Sequence, residues 1–95
     1  MTNLEKEESV KILTHFGVED QILKFGEECS EASTEVLKLQ CSTKDKSDVV
    51  ENLKIEIADV YNVMNQMLLY FGEDTIKKIA AEKRAKCINK YIDNK

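Results

Sequence analysis

The stretch QILKFGEECSEASTEVLKLQ, residues 21–40, decides how the chain is read. Ile22, Phe25, Cys29, Ala32, Val36 and Leu39 recur at steps of three and four, which predicts a helix over about residues 19–41 with one apolar stripe. Within that helix, Glu28 and Glu31 stand three residues apart, and side chains at this spacing share a face. A second stretch, ENLKIEIADVYNVMNQML (residues 51–68), repeats the device with Glu56 and Asp59 in a still more apolar setting. Two such helices laid side by side gather four carboxylates at the margin of a core. Four like charges in one place repel one another unless a cation sits among them.

The rest of the chain reads as the scaffold for that pairing. Residues 3–15 form a first helix carrying Leu4, Val10, Ile12 and Leu13, with Gly17 as its stop. Gly26 lies inside the second helix, where a small residue is expected at a helix crossing. The polar run from Ser42 to Ser47 connects two antiparallel helices, and Ser47 or Asp48 is expected to cap the third. Val50, Leu53, Ile57, Val60, Met64, Met67, Leu68 and Phe71 line that third helix, which Gly72 closes. Apolar residues spread around much of its circumference, so it is expected to pack on two sides, the second against another subunit. A last helix opens at Glu73-Asp74-Thr75. Ile76, Ile79, Ala80, Ile88 and Ile92 give its expected buried stripe, and Lys77, Lys78, Lys83, Arg84, Lys86 and Lys90 make it basic. No strand pattern occurs. The expected fold is all-α, an antiparallel bundle of about four helices forming one domain over residues 1–95.

Composition narrows the function classes. The 95 residues hold no proline and three glycines, which permits long helices. A formal charge of -4 argues against binding a nucleic acid polymer through its backbone. No run of about 18 apolar residues occurs, so no membrane partner is expected. The opening MTNLEKEES is too acidic for a signal or transit peptide, and Cys29, Cys41 and Cys87 form no CxxC pair. These features predict a cytoplasmic protein whose three cysteines are reduced and packed as small hydrophobes.

Two readings account for carboxylates at the edge of a core, where an unpaired charge is costly. Lysines and Arg84 of the last helix can pair with them in a buried ionic network. Alternatively, they hold a hard divalent cation. Oxygen ligands without histidine suit Mg²⁺ and disfavour zinc or a ferritin-like di-iron site. Mg²⁺ beside lysines suits phosphate chemistry. Lys24, one turn before Glu28, can reach a phosphate or form a salt bridge with Glu28. Glu35 and Glu51 read as surface residues.

The order EECSE (27–31), then EIAD (56–59), resembles the EExxE…ExxD signature of the MazG-like all-α nucleoside triphosphate pyrophosphohydrolases. The context QILKFGEECSE, ENLKIEIADVYNVMNQML and the lysine-rich IKKIAAEKRAK extends the resemblance over about residues 18–90. It implies an enzyme that cleaves a nucleotide between the α- and β-phosphates, releasing a monophosphate and pyrophosphate. It implies Mg²⁺ or Mn²⁺ as cofactor, and a homodimer or homotetramer with sites where helices of different subunits meet. Carried over by position, Glu28, Glu31, Glu56 and Asp59 are the metal ligands, and Glu27 orients or deprotonates the attacking water or holds a further metal. Lys83, with Arg84 or Lys86, would contact phosphates, although here the arginine is adjacent rather than one turn on. Gln21 and Asn62 are candidates for the base or ribose, with Asn65 and Gln66 as substitutes, and Phe16, Phe25 and Tyr61 for stacking. The implied role is removal of unwanted nucleotides. The alternatives are a relative specific for dUTP or phosphoribosyl-ATP, and a catalytically silent helical interaction module.

Overall fold

The computed structural model describes residues 1–41 and 45–93. It contains four helices: α1 (Asn3–Phe16), α2 (Val18–Cys41), α3 (Ser47–Phe71) and α4 (Glu73–Tyr91). Among the described residues there is no strand. The expected Ser42–Ser47 connection falls partly, at 42–44, outside the described residues.

Local chemistry sets the ends of these helices. Thr2 and Glu5 form a reciprocal cap on α1: the Glu5 N–H donates to Thr2 Oγ1 at 3.0 Å, and the Thr2 N–H donates to Glu5 Oε1 at 2.7 Å. A single glycine separates α1 from α2 and another separates α3 from α4. Gly17 has φ 91° and Gly72 φ 105°, values that a side chain strains against. Their N–H groups donate to Leu13 O and Leu68 O, closing the preceding helices. The cap of α3 differs from expectation. Neither Ser47 nor Asp48 supplies it; the Asp45 carboxylate accepts the Ser47 N–H at 3.0 Å and the Ser47 hydroxyl at 3.1 Å. Asp45 sits outside the helix, where its short side chain can fold back onto the free N–H groups.

Helices α2 and α3 form the main seam and run antiparallel: Glu31 meets Glu56, while Gln21 shares a cavity wall with Gln66. Helix α1 packs against both. It is tied to α3 by the Tyr61 hydroxyl, which donates to Glu5 Oε2. Helix α4 packs on α3 alone among the described helices. Among the described residues, no helix is long and apolar enough to cross a membrane.

The faces turned inward are not quite those the apolar periodicity marks. Val18, Gln21, Phe25, Glu28, Ala32, Glu35 and Leu39 are the covered residues of α2, whereas Ile22, Cys29 and Val36 are exposed. The two arcs share Phe25, Ala32 and Leu39, so the helix is turned by about half a residue step, roughly 50°. Periodicity locates an apolar arc only to that accuracy; what α3 presents across the seam sets the rotation. On α3 the fully buried residues are Val63, Asn65, Gln66 and Met67, while Ile57, Met64 and Phe71 stay open. The expected buried stripe of α4 is covered only in part: Ile76 and Ala80 are half-buried, no residue of the helix is fully buried, and Ile79, Ile88 and Ile92 face solvent.

Three further expectations change, the first two because the protomer has few layers and the third because α2 turns the face of Glu35 inward. Gly26 marks no helix crossing, because a Cβ there meets open space. The cysteines are free thiols but all three are exposed rather than packed. Glu35 is half-buried rather than a surface residue: one oxygen pairs with Lys38 at 3.2 Å and the other is buried without a partner. Glu51 lies at the surface as expected, paired with Lys54 at 2.9 Å.

Candidate metal centre and adjoining cavity

Where α2 crosses α3, Glu28, Glu31 and Glu56 each offer a carboxylate oxygen, and these atoms lie within 4.8 Å of one another. The helix spacing explains two of them: Glu28 and Glu31 are one turn apart on α2. The antiparallel seam supplies the third. Glu28 is only 4% exposed, Glu56 is half-buried and Glu31 is open. Glu28 Oε2 and Glu56 Oε2 are buried without a hydrogen-bond partner.

The positive charge nearby is small. Lys24 Nζ lies 3.1 Å from Glu28 Oε1, the salt bridge that their spacing allows. The remaining ion pairs among the described residues join Lys38 to Glu35, Lys54 to Glu51 and Lys77 to Glu73. The basic residues of α4 therefore do not neutralise the cluster within the protomer, and the buried ionic network is not formed. Burial pushes the Glu56 carboxyl above its ordinary range, helped by the Glu31 charge, a shared hydrogen bond with Glu31, and the Asp59 and Glu28 charges. The Glu28 hydrogen bond and charge hold the Lys24 ammonium more firmly protonated than usual. A hard divalent cation fits this donor set: every ligand is an oxygen, and two of the oxygens are buried and lack partners.

A cavity of about 530 Å³ opens beside the cluster. Helix α1 contributes Ile12 and Phe16; α2 contributes Asp20, Gln21, Leu23, Lys24, Glu27 and Glu28; α3 contributes Asp59, Asn62, Val63 and Gln66. The α1 wall is thus apolar, the α2 wall is mainly charged, and the α3 wall joins a carboxylate to two amides and a valine. A smaller space of about 150 Å³ shares Ile12 and Asn62 with it and is otherwise lined by Glu5, Glu8, Ser9 and Asn65.

The residues singled out from sequence divide into three groups. Glu28, Glu31 and Glu56 come together directly. Asp59 stands outside that close trio but lines the cavity with Glu28, beside Glu27, Lys24, Gln21 and Asn62. Lys83, Arg84 and Lys86 do neither: they are exposed on α4 and line no part of the cavity. Of the aromatic candidates, Phe16 lines the cavity, Phe25 does not, and Tyr61 is engaged with Glu5. Asp20 and Leu23 were not anticipated, and Gln66 figured only as a substitute for Gln21 and Asn62. A signal for Gln66 was present, since it follows Asp59 by two helical turns and so shares its face.

No family model, curated protein or solved structure matches the chain.

Proposed function

We propose that this chain is a Mg²⁺-dependent nucleoside triphosphate pyrophosphohydrolase of the MazG-like kind, acting as a homo-oligomer in clearing unwanted cytoplasmic nucleotides. The observation that carries the reading is the convergence of Glu28, Glu31 and Glu56 oxygens within 4.8 Å, beside a cavity that also holds a lysine and amides.

In this reading Glu28, Glu31 and Glu56 would hold Mg²⁺, and Asp59, which lines the cavity with Glu28, would be the fourth carboxylate of the site. The cation supplies positive charge to phosphate oxygens that the acidic wall would otherwise repel. Lys24 leaves its salt bridge with Glu28 to contact a phosphate. Glu27, exposed at the cavity wall, accepts the proton of the attacking water. The water oxygen bonds to phosphorus, the α–β bridging bond breaks, and pyrophosphate leaves with the bridging oxygen's electron pair. Since Lys83, Arg84 and Lys86 lie away from the cavity, they reach a phosphate only from a second copy of the chain.

Area supports that second copy. The protomer exposes 7396 Å², against about 5600 Å² for a compact chain of this size. Its radius of gyration is 16.5 Å, against about 12 Å. The excess of about 1800 Å² is more than the roughly 800 Å² that each partner gives to a standard interface.

The test is to mix the purified protein with the ribo- and deoxyribonucleoside triphosphates, with and without Mg²⁺, and to measure pyrophosphate. Mg²⁺-dependent release from at least one nucleotide is expected. No release from any of them refutes the nucleoside triphosphate reading, and no release from phosphoribosyl-ATP as well leaves the helical interaction module.

A further inference from the structure

Among the described residues, the seven that are buried include only two hydrophobic ones, Val63 and Met67. Three of the others are amides: Gln21, Asn65 and Gln66. The strongest anomaly is Gln66. It is 2% exposed, it lines the cavity beside the acidic cluster, and its Oε1 is buried without a hydrogen-bond partner. An unsatisfied buried amide oxygen costs about 1–3 kcal/mol, so a site that keeps one needs a donor to fill it.

The placement of Gln66 follows from the chain's own symmetry. Gln21 precedes Glu28 by seven residues on α2, and Gln66 follows Asp59 by seven on α3. Seven residues are two turns, so each amide shares a face with its carboxylate, about 10 Å away along the axis. Because the helices run antiparallel, both displacements point the same way. Gln21 and Gln66 therefore arrive at one end of the cavity, while Glu28 and Asp59 mark the other. A ligand lying along the cavity meets the carboxylates of Glu27, Glu28 and Asp59 at one end, and at the other the two amides with the single Asp20 carboxylate beside them. Phe16, Ile12 and Val63 supply an apolar wall to that same cavity.

We propose that Gln66 is the base-reading residue of this site, its amide meeting the Watson–Crick edge of a nucleobase whose ring rests against the apolar wall. The proposal rests on the nucleotide reading above and adds to it which end of the cavity holds the base and which residue selects it. A base edge carries N–H donors next to acceptors, and a carboxamide offers one of each. A sugar and phosphate chain can bridge the distance back to Glu28. Gln21, on the facing helix, positions the same edge from the other side. Discrimination follows because a base presenting the wrong edge leaves the buried amide unpaired, which is worse than making no polar contact at all.

The experiment compares wild type with Gln66→Met, which keeps the volume and removes the amide. Turnover is measured for the four bases, and binding is measured by calorimetry with Mg²⁺ and the α,β-methylene triphosphates. Wild type is expected to prefer one base, and Gln66→Met to lose roughly tenfold to a hundredfold in kcat/KM and affinity for that base alone. The least favoured base should hardly change. A second measurement needs no variant: the preferred nucleotide methylated at its Watson–Crick N–H should bind wild type more weakly by a similar factor. An unchanged base ranking in Gln66→Met, or undiminished binding of the methylated nucleotide, overturns the proposal. If no nucleoside triphosphate is turned over but binding of the analogues is base-selective and lost in Gln66→Met, base reading stands and the hydrolase reading fails. If no analogue binds selectively, base reading fails.

Discussion

The seam between α2 and α3 and the arm formed by α4 are built on opposite terms. At the seam, polar groups are buried: Glu28, Gln21 and Gln66 are covered, and three oxygens of Glu28, Glu56 and Gln66 lack partners. On the arm, apolar groups are exposed: Ile79, Ile88 and Ile92 face solvent, and Tyr91 is 72% exposed. Each is costly in an isolated protomer, one through desolvated polar atoms and the other through apolar surface left in water. The contrast shows what kind of partner each lacks. Unpaired carboxylates call for a cation and a polar ligand; an uncovered apolar helix calls for another protein surface. We take the first to be the catalytic site and the second to be the contact with another copy.

The sharpest way to break the comparison is Glu56→Gln. It should lower turnover by at least roughly a hundredfold, since partners one step removed from a metal already cost about tenfold to a hundredfold. Without divalent cation it should raise the melting temperature, because it removes a carboxylate crowded by Glu31, Asp59 and Glu28. Full activity, or a destabilised apoprotein, would sink the assignment of Glu56. Circular dichroism should show the helical signal unchanged.

Next in size is Met67→Ala. Met67 and Val63 are the buried hydrophobic residues of the described chain, 5% and 6% exposed. The truncation should cost about 2–5 kcal/mol in urea denaturation at matched protein concentration. Cavity formation explains a loss of that size, and a loss below 1 kcal/mol would mean that the interior lies elsewhere.

The arm is probed by Ile79→Asp with Ile88→Asp. Sedimentation should show a smaller particle, while the protomer's own helices persist, because α4 contributes no buried residue to them. An unchanged mass would remove α4 from the interface. Loss of phosphate-dependent rate in the dissociated variant would fit Lys83, Arg84 and Lys86 acting across subunits.

The smallest effect is the pH dependence. The folded Glu56 carboxyl binds its proton more tightly than its ordinary value of 4.5 implies. Its contribution to stability therefore falls as pH rises from 4.5 through the raised value, and is most unfavourable above it. Mg²⁺ affinity should run the other way, weakening as pH drops through the raised value, since proton and cation compete. Titrating stability with pH in wild type and Glu56→Gln, with and without Mg²⁺, checks both signs. The variant should be flatter in each.

Much of this molecule was legible in its residues. Glycine at 17 and 72, in a chain without proline, marked two helix ends where only a positive φ turns the chain so sharply. Step-three spacing put Glu28 with Glu31 on one face, because helix geometry is local. What lies across the seam was not local. Which face of α2 turns inward, that Glu56 joins the trio more closely than Asp59, and that Gln66 loses its partner all depend on rotation and register between helices. Those are settled by packing over a distance that no single window of sequence spans. Likewise, Ile79 and Ile88 announced an apolar stripe, but only the tertiary structure showed the two uncovered, because periodicity records that a face avoids water and not which surface it meets.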